Sequence, residues 1–256
     1  MQIKIFNHNR LTERPFFQEL INFLINHDDV TLRKIKAAFG NEQNLERQIE
    51  DFVQAGFISR LDKRYTIQFQ VFTDADFDLT LPATEPQHLN FEQPFFVAED
   101  SELVSKLQGS QIQQTLTNQT NAIELHFSSD FARTANNLAN YFYHVAKRVA
   151  LTPFEQQIFK LIGDVDLDYA LKYMTTFLLK FAKKDVVKQK RPDIFVQTLE
   201  AYGYIVKHEE ESYRFNLTFD ESEFETVVFR DAHDFIAAQI RQCEAVPSFV
   251  KLGVGT

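Results

Sequence analysis

The sequence predicts an α+β protein, on three observations. An apolar helical run opens at Leu11-Thr12, and a second opens at Leu151-Thr152. Each leads through more helix to a similar end, Leu45-Glu46-Arg47-Gln48-Ile49-Glu50-Asp51-Phe52-Val53-Gln54-Ala55-Gly56-Phe57-Ile58 in one case and Phe195-Val196-Gln197-Thr198-Leu199-Glu200-Ala201-Tyr202-Gly203-Tyr204-Ile205 in the other. Each then reaches a polar turn and a returning strand, residues 64–69 and 212–217. One layout is used twice: helices first, a small hairpin last.

The first helix is expected over residues 12–26. Phe16, Phe17, Leu20, Ile21, Phe23 and Leu24 make its apolar stripe, with Thr12 as N-cap and Pro15 in the first turn, where a missing N–H costs little. Thr31 caps a second helix with Leu32, Ile35 and Phe39 inward, stopped by Gly40. The third spans 42–54, burying Leu45, Ile49, Phe52 and Val53, with Gly56 just past its end. Strands follow on either side of Asp62-Lys63. In the second copy, Thr152-Pro153-Phe154-Glu155 is a capping box, and Ile158, Leu161 and Ile162 follow at helical spacing. A helix over 166–184 carries Leu167, Ala170, Leu171, Met174, Leu178 and Phe181 inward. Pro192 begins a third with Phe195, Leu199 and Tyr202 buried, and a hairpin turns at Glu209-Glu210-Glu211. From Leu-Thr to the closing Gly, the second copy is 7 residues longer, the excess falling around its second helix.

Between the copies, Asp74, Asp76, Asp78, Pro82, Pro86 and Pro94 suit an irregular connection. Residues 122–127 alternate like a half-buried strand, and Ser128 or Ser129 caps a long helix over 129–149. The tail echoes this order more weakly, a strand at 226–229 and a helix over 232–243. Gly253-Val254-Gly255 reads as a frayed end.

Charge is distributed unevenly. The net of −9 leaves residues 10–70 with 9 basic and 9 acidic side chains and residues 151–219 with 10 of each. Residues 71–150 hold 4 basic and 10 acidic, and 220–256 hold 3 and 7, so the acid lies outside the two copies. Neither copy has the basic excess usual in DNA-binding domains. No window approaches 18 consecutive apolar residues, and the N-terminal residues lack a signal-peptide h-region. With one cysteine, Cys243, expected as a buried or half-buried thiol, the sequence predicts a cytoplasmic protein. No GxSxG, P-loop or GxGxxG is present, so no enzyme and no cofactor are expected; a hydrolase or transferase with a dispersed site is the remaining enzymatic option. No metal site is expected. Asp74, Asp76, Asp78 and Glu85 mimic a calcium loop, but Leu79 stands where that loop needs glycine. The seven histidines fall at no metal-binding spacing, and His126 and His144 read as structural or exposed.

Residues 11–70 and 151–219 resemble the winged-helix superfamily in element order. Ile5-Phe6-Asn7, Leu11-Thr12, Pro15-Phe16-Phe17 and Leu45 to Gly56 also resemble an uncharacterised bacterial family of unknown function, which carries no known activity or site. The expected organisation is α+β with two winged-helix-like units, 1–72 and 151–219, an acidic strand-helix region over 73–150, and a strand-helix and tail over 220–256. The winged-helix resemblance implies a third helix lying in the DNA major groove and a wing on the backbone. In the first copy that helix offers Glu46, Arg47, Gln48, Glu50 and Asp51, whose three carboxylates repel phosphate, although Arg60, Lys63 and Arg64 on the wing and Arg33, Lys34 and Lys36 on the second helix could touch it. The second copy is the better nucleic-acid candidate. Lys180, Lys183, Lys184, Lys188, Lys190 and Arg191 precede its third helix, and Gln197 and Thr198 are expected to face bases. Glu209-Glu210-Glu211 oppose this at the wing tip, and a charge run also suits a helix end. Tandem winged-helix proteins include DNA-binding replication initiators and accessory proteins of chromosome-condensing complexes, which mainly bind protein. The acidic balance is nearer the latter. The expected function is a non-enzymatic interaction or regulatory protein with a protein partner, docking on the third helices or the 129–149 helix; a DNA-binding regulator using the basic patch is the alternative.

Overall fold

The computed structural model describes residues 1–253 and is a mixed α+β fold. It divides into two compact units. The first gathers Met1–Pro82, Asn90–Gln108 and Val228–Arg241; the second gathers Ala83–Leu89, Gly109–Val227 and the chain from Gln242.

In the first unit, β1 (Ile3–Phe6) precedes α1 (Pro15–Asn26). The helix starts at Pro15 and not at Thr12. Asn9 and Thr12 close a turn on each other instead: Asn9 Oδ1 accepts the Leu11 and Thr12 amides, while Thr12 Oγ1 accepts the Asn9 amide at 2.9 Å. The hydroxyl is therefore occupied, and α1 has no side-chain cap. Phe16, Phe17, Leu20, Ile21 and Leu24 form its buried face. β2 (Val30–Thr31) runs into α2 (Leu32–Ala38), which Thr31 caps as expected, through the Lys34 amide. α3 (Leu45–Gln54) begins later than residue 42, because Asn44 stands in the left-handed region at φ 54°. β3 (Ile58–Leu61) and β4 (Arg64–Ile67) form the expected hairpin; Asp62 and Lys63 both take positive φ, the two-residue turn that matches strand twist. β2 also pairs with β4, giving strand order β2-β4-β3. Three helices and a three-stranded ribbon thus enclose a core in which Phe17 meets Phe52 and Phe57 edge to face.

β5 (Val71–Phe72), β6 (His88–Asn90), β7 (Phe95–Ala98) and α4 (Glu102–Gly109) follow. β7 is central in a second sheet, antiparallel to β1 and parallel to β5. The acids of the connection act as caps. Asp74 accepts the Glu102 and Leu103 amides at the start of α4, at 3.1 and 2.8 Å, and Asp76 forms a capping box with Thr73.

In the second unit, β8 (Gln111–Leu116) pairs with β9 (Ile123–Asp130). The helix expected over 129–149 is corrected to α5 (Leu138–Lys147). Alternation continues through Ser128 and Ser129, so β9 takes them, and Asp130 turns the chain by accepting the Thr134 and Ala135 amides. Asn137 then caps α5. α6 (Pro153–Ile162) carries the expected capping box; its Glu155 also accepts from buried His144 Nδ1 at 2.7 Å. α7 (Leu167–Leu178) is shorter than 166–184. It tightens into a 3₁₀ turn at Leu179–Ala182, which delivers the chain to a strand absent from the sequence prediction, β10 (Val186–Lys188). α8 (Ile194–Ala201) is capped by Asp193. β11 (Ile205–Lys207) and β12 (Ser212–Phe215) form the expected hairpin, and β10 joins it in the order β10-β12-β11. In the second copy the second helix is longer (12 residues against 7), and so is the stretch from it to the third helix, which includes β10.

β13 (Thr218–Phe219) leads to β14 (Thr226–Val228), which pairs with β6. α9 (Ala232–Gln239) is shorter than the expected 232–243. β15 (Phe249–Leu252) completes a four-stranded sheet of order β13-β15-β9-β8. Its inner face, with Ile123, Leu125, Phe127 and Val250, packs on the same core as Leu138, Ile158, Leu171 and Leu199. Cys243 is exposed, not buried; it is the neighbouring Gln242 that turns inward, its amide reaching Thr84 Oγ1 at 2.7 Å. Val254 and Gly255 of the C-terminal glycine pair lie outside the described residues.

Candidate functional site

The six cations singled out in the sequence occupy one stretch of the second unit. Lys180 lies in the 3₁₀ turn, Lys183 and Lys184 follow it, Lys188 ends β10, and Lys190 and Arg191 lead to α8. All six are exposed, and none forms an ion pair among the described residues. Lys180 Nζ stands 4.8 Å from the Phe177 ring centroid. The polar residues expected to read bases are placed otherwise. Thr198 is buried and donates its hydroxyl to Ile194 O at 2.7 Å, while Gln197 is half-buried and donates to Pro192 O at 3.0 Å. The reason is packing: α8 lies against both α6 and α7, so Phe195, Val196, Thr198 and Leu199 all turn inward.

An aromatic feature accompanies the cations. Tyr169 and Tyr173, one helical turn apart on α7, are 50% and 41% exposed, and Ile194 at the start of α8 is 41% exposed. The tyrosine rings are 4.9 Å apart, and Tyr173 stacks on Phe195 at 5.3 Å. Lys172 Nζ is 5.8 Å from the Tyr173 ring. Tyr169, Lys172, Tyr173, Thr176 and Lys180 recur at 3, 4, 7 and 11 residues along exposed α7 and the turn after it. The acid of the hairpin is nearby in the sheet: Gln189 N donates to Glu211 O at 2.7 Å.

The second feature of this unit is a pocket of about 290 Å³ that the sequence did not indicate. Glu124, His126 and Ser128 alternate on β9 and share one face. Gln113 and Thr115 stand opposite Ser128 and His126 on β8, and Phe249 and Lys251 stand opposite His126 and Glu124 on β15. Phe224 lies on the His126 ring with centroids 4.4 Å apart, and Phe249 flanks it at 4.6 Å. Lys251 Nζ holds Glu223 at 2.6 Å, raising the ammonium's pKa and lowering the carboxylate's.

Two imidazoles meet here. His88 Nδ1–H donates to the Gln113 carbonyl at 2.9 Å, and His126 Nε2–H donates to Gln113 Oε1 at 3.0 Å, since neither oxygen can be a donor. The other two ring nitrogens, His88 Nε2 and His126 Nδ1, therefore both carry lone pairs, and both face Thr115 Oγ1, at 3.3 and 3.4 Å. One hydroxyl proton cannot serve two acceptors. Burial lowers His88 below its ordinary value; burial, then the neighbouring His88, hold His126 at about 4. His126 is 2% exposed. The arrangement leaves Gln113 Nε2 buried without a partner. The sequence reads His126 as structural or exposed; only the alternation of β9 hints at its depth, and nothing links it to His88, 38 residues earlier.

Of the calcium-like acids, Asp74 and Asp76 act as caps and Asp78 accepts the Thr80 amide in a local turn. Asp231, His233 and Asp234 form an exposed cluster, with His233 stacked on Phe77 at 4.8 Å. No helix among the described residues is long and apolar enough to cross a membrane.

Residues 3–110 match a family described as a domain of unknown function (DUF1803), a span that runs from β1 to the end of α4. The basic stretch, the tyrosines, Thr115 and His126 all lie outside it. No curated protein and no solved structure matches the chain.

Proposed function

We propose that the protein is a non-enzymatic interaction module whose two three-helix bodies are winged helices, and that the second body docks an acidic segment of a partner protein. The element order and the ribbon shared by the two bodies support the winged-helix reading. The observation that carries the docking face is the exposed Tyr169–Tyr173 pair beside cations with no carboxylate of their own. Exposed aromatic rings supply contact area at low entropic cost, and unpaired cations favour an acidic counterpart. The buried face of α8 argues against groove insertion by that helix, because a recognition helix must present polar side chains to bases.

Copurification from the native cell, comparing the wild type with Tyr169→Ala/Tyr173→Ala, tests this. A stoichiometric protein partner is expected with the wild type and not with the variant. A partner retained by the variant, or recovery of nucleic acid in its place, counts against the docking face. The second reading, contact with a nucleic-acid backbone, is favoured by the same six cations. It requires binding to random duplex that weakens steeply with salt and is abolished by Lys188→Glu/Lys190→Glu/Arg191→Glu. Binding that ignores salt removes it.

A further inference from the structure

We propose that His88 and His126 form a binding site for a divalent transition-metal ion of the imidazole-preferring class, such as zinc, nickel or copper(II). The site lies on the face of the second unit's four-stranded sheet and is independent of the docking face. Three features of the geometry support it.

First, both ligating nitrogens are set by a second layer of bonds. A metal-binding histidine commonly donates its other ring N–H to a carbonyl or carboxylate, which fixes its tautomer and orientation. Here one residue, Gln113, does this for both rings, through its backbone carbonyl for His88 and its side-chain oxygen for His126. Second, the two lone pairs share a single hydrogen-bond donor. Thr115 has a single proton for His88 Nε2 and His126 Nδ1, and both separations are longer than a good hydrogen bond. A cation satisfies both nitrogens at once. Third, the pocket favours a cation over an anion: Glu124 and Glu223 line it against the single ammonium of Lys251, which is already paired with Glu223. Water completes the coordination sphere.

The experiment is calorimetric titration of the metal-stripped full chain with zinc chloride, with nitrogen-15 NMR of the imidazoles. One Zn²⁺ per chain is expected, with shifts at His88 Nε2 and His126 Nδ1. His88→Ala, at a half-exposed position, should weaken binding at least about 10-fold, Glu124→Gln by less, and His233→Ala not at all. His126→Ala should abolish binding; because that ring is buried, its circular dichroism is recorded alongside, and the NMR of the wild type stands whether or not the variant folds. Absence of saturable binding, binding indifferent to His88→Ala, or binding lost in His233→Ala overturns the proposal. So does a metal-free His126 that carries its proton on Nδ1, as a turned Gln113 amide would impose.

Discussion

The two three-helix bodies share an order of elements and differ in where the third ribbon strand is drawn from. In the first, β2 enters between the first and second helices; in the second, β10 enters between the second and third. Both strands pair antiparallel with the returning strand of the hairpin, β4 or β12. The bodies differ in charge pairing as well. In the first, Arg14 meets Asp51 at 2.8 Å, Arg60 meets Glu50 at 3.0 Å, and Lys36–Glu46 and Arg64–Asp29 are also paired. In the second, the detour through β10 carries Lys183, Lys184, Lys188 and Lys190 to the surface unpaired. Equal numbers of acids and bases thus produce, among the described residues, four Lys or Arg ion pairs in the first body and one, Lys207–Glu200, in the second, whose β10 stretch is locally basic. Net charge per segment does not describe a binding face; pairing does.

The largest test of the shared architecture lies in the cores. Phe52 of α3 and Leu199 of α8 occupy the same position relative to the glycine that closes each helix, Gly56 and Gly203, and both are fully buried. Phe52→Ala should cost about 3–5 kcal/mol and Leu199→Ala about 2–5 kcal/mol, read from urea midpoints of each unit's unfolding. A cost below about 1 kcal/mol at either position would break the equivalence, since cavity formation in a packed core cannot be that mild.

A smaller effect separates the first helices. Glu155 closes the capping box of α6 and also satisfies buried His144, whereas α1 starts from Arg14 with no side-chain cap. Glu155→Ala should cost about 2–4 kcal/mol, a lost cap plus a stranded imidazole. Arg14→Ala removes a part-exposed ion pair and should cost less than about 1 kcal/mol. Equal costs from thermal or chemical unfolding would mean that the box stabilises α6 no more than the ion pair stabilises α1.

The smallest effect concerns the cations. Lys188→Glu, Lys190→Glu and Arg191→Glu, made singly, should each change stability by no more than about 0.5 kcal/mol, because nothing in the described fold leans on them. A larger loss would show that these side chains hold the β10 detour in place and are not free for a partner.

Much of the fold was legible because its signals are local. The Thr152 box, the Thr31 cap, the glycines past α3 and α8 and the Asp62-Lys63 turn each act within a few residues. Failures came where a residue had two local options and a distant partner chose between them. Thr12 could cap a helix but closed on Asn9. Ser128 could start one but is held in β9, its hydroxyl donating to Gln113 and accepting from Val246. The basic stretch was visible as a run of charges; the burial of Thr198 and Gln197 was not, since it depends on α8 being packed on two sides. The histidine pocket left no trace in spacing at all.

By itself the sequence determined the mixed α+β class, the doubled order of helices and hairpin, and the helix ends marked by Thr31, Thr152, Gly56 and Gly203, because capping, backbone dihedral preference and apolar periodicity operate over one or two turns of chain. Only the tertiary structure decided which strands pair, which charges are neutralised, and that His88 and His126 share one hydroxyl. Those outcomes depend on strand register and on elements far apart in the chain, and no short-range preference encodes them.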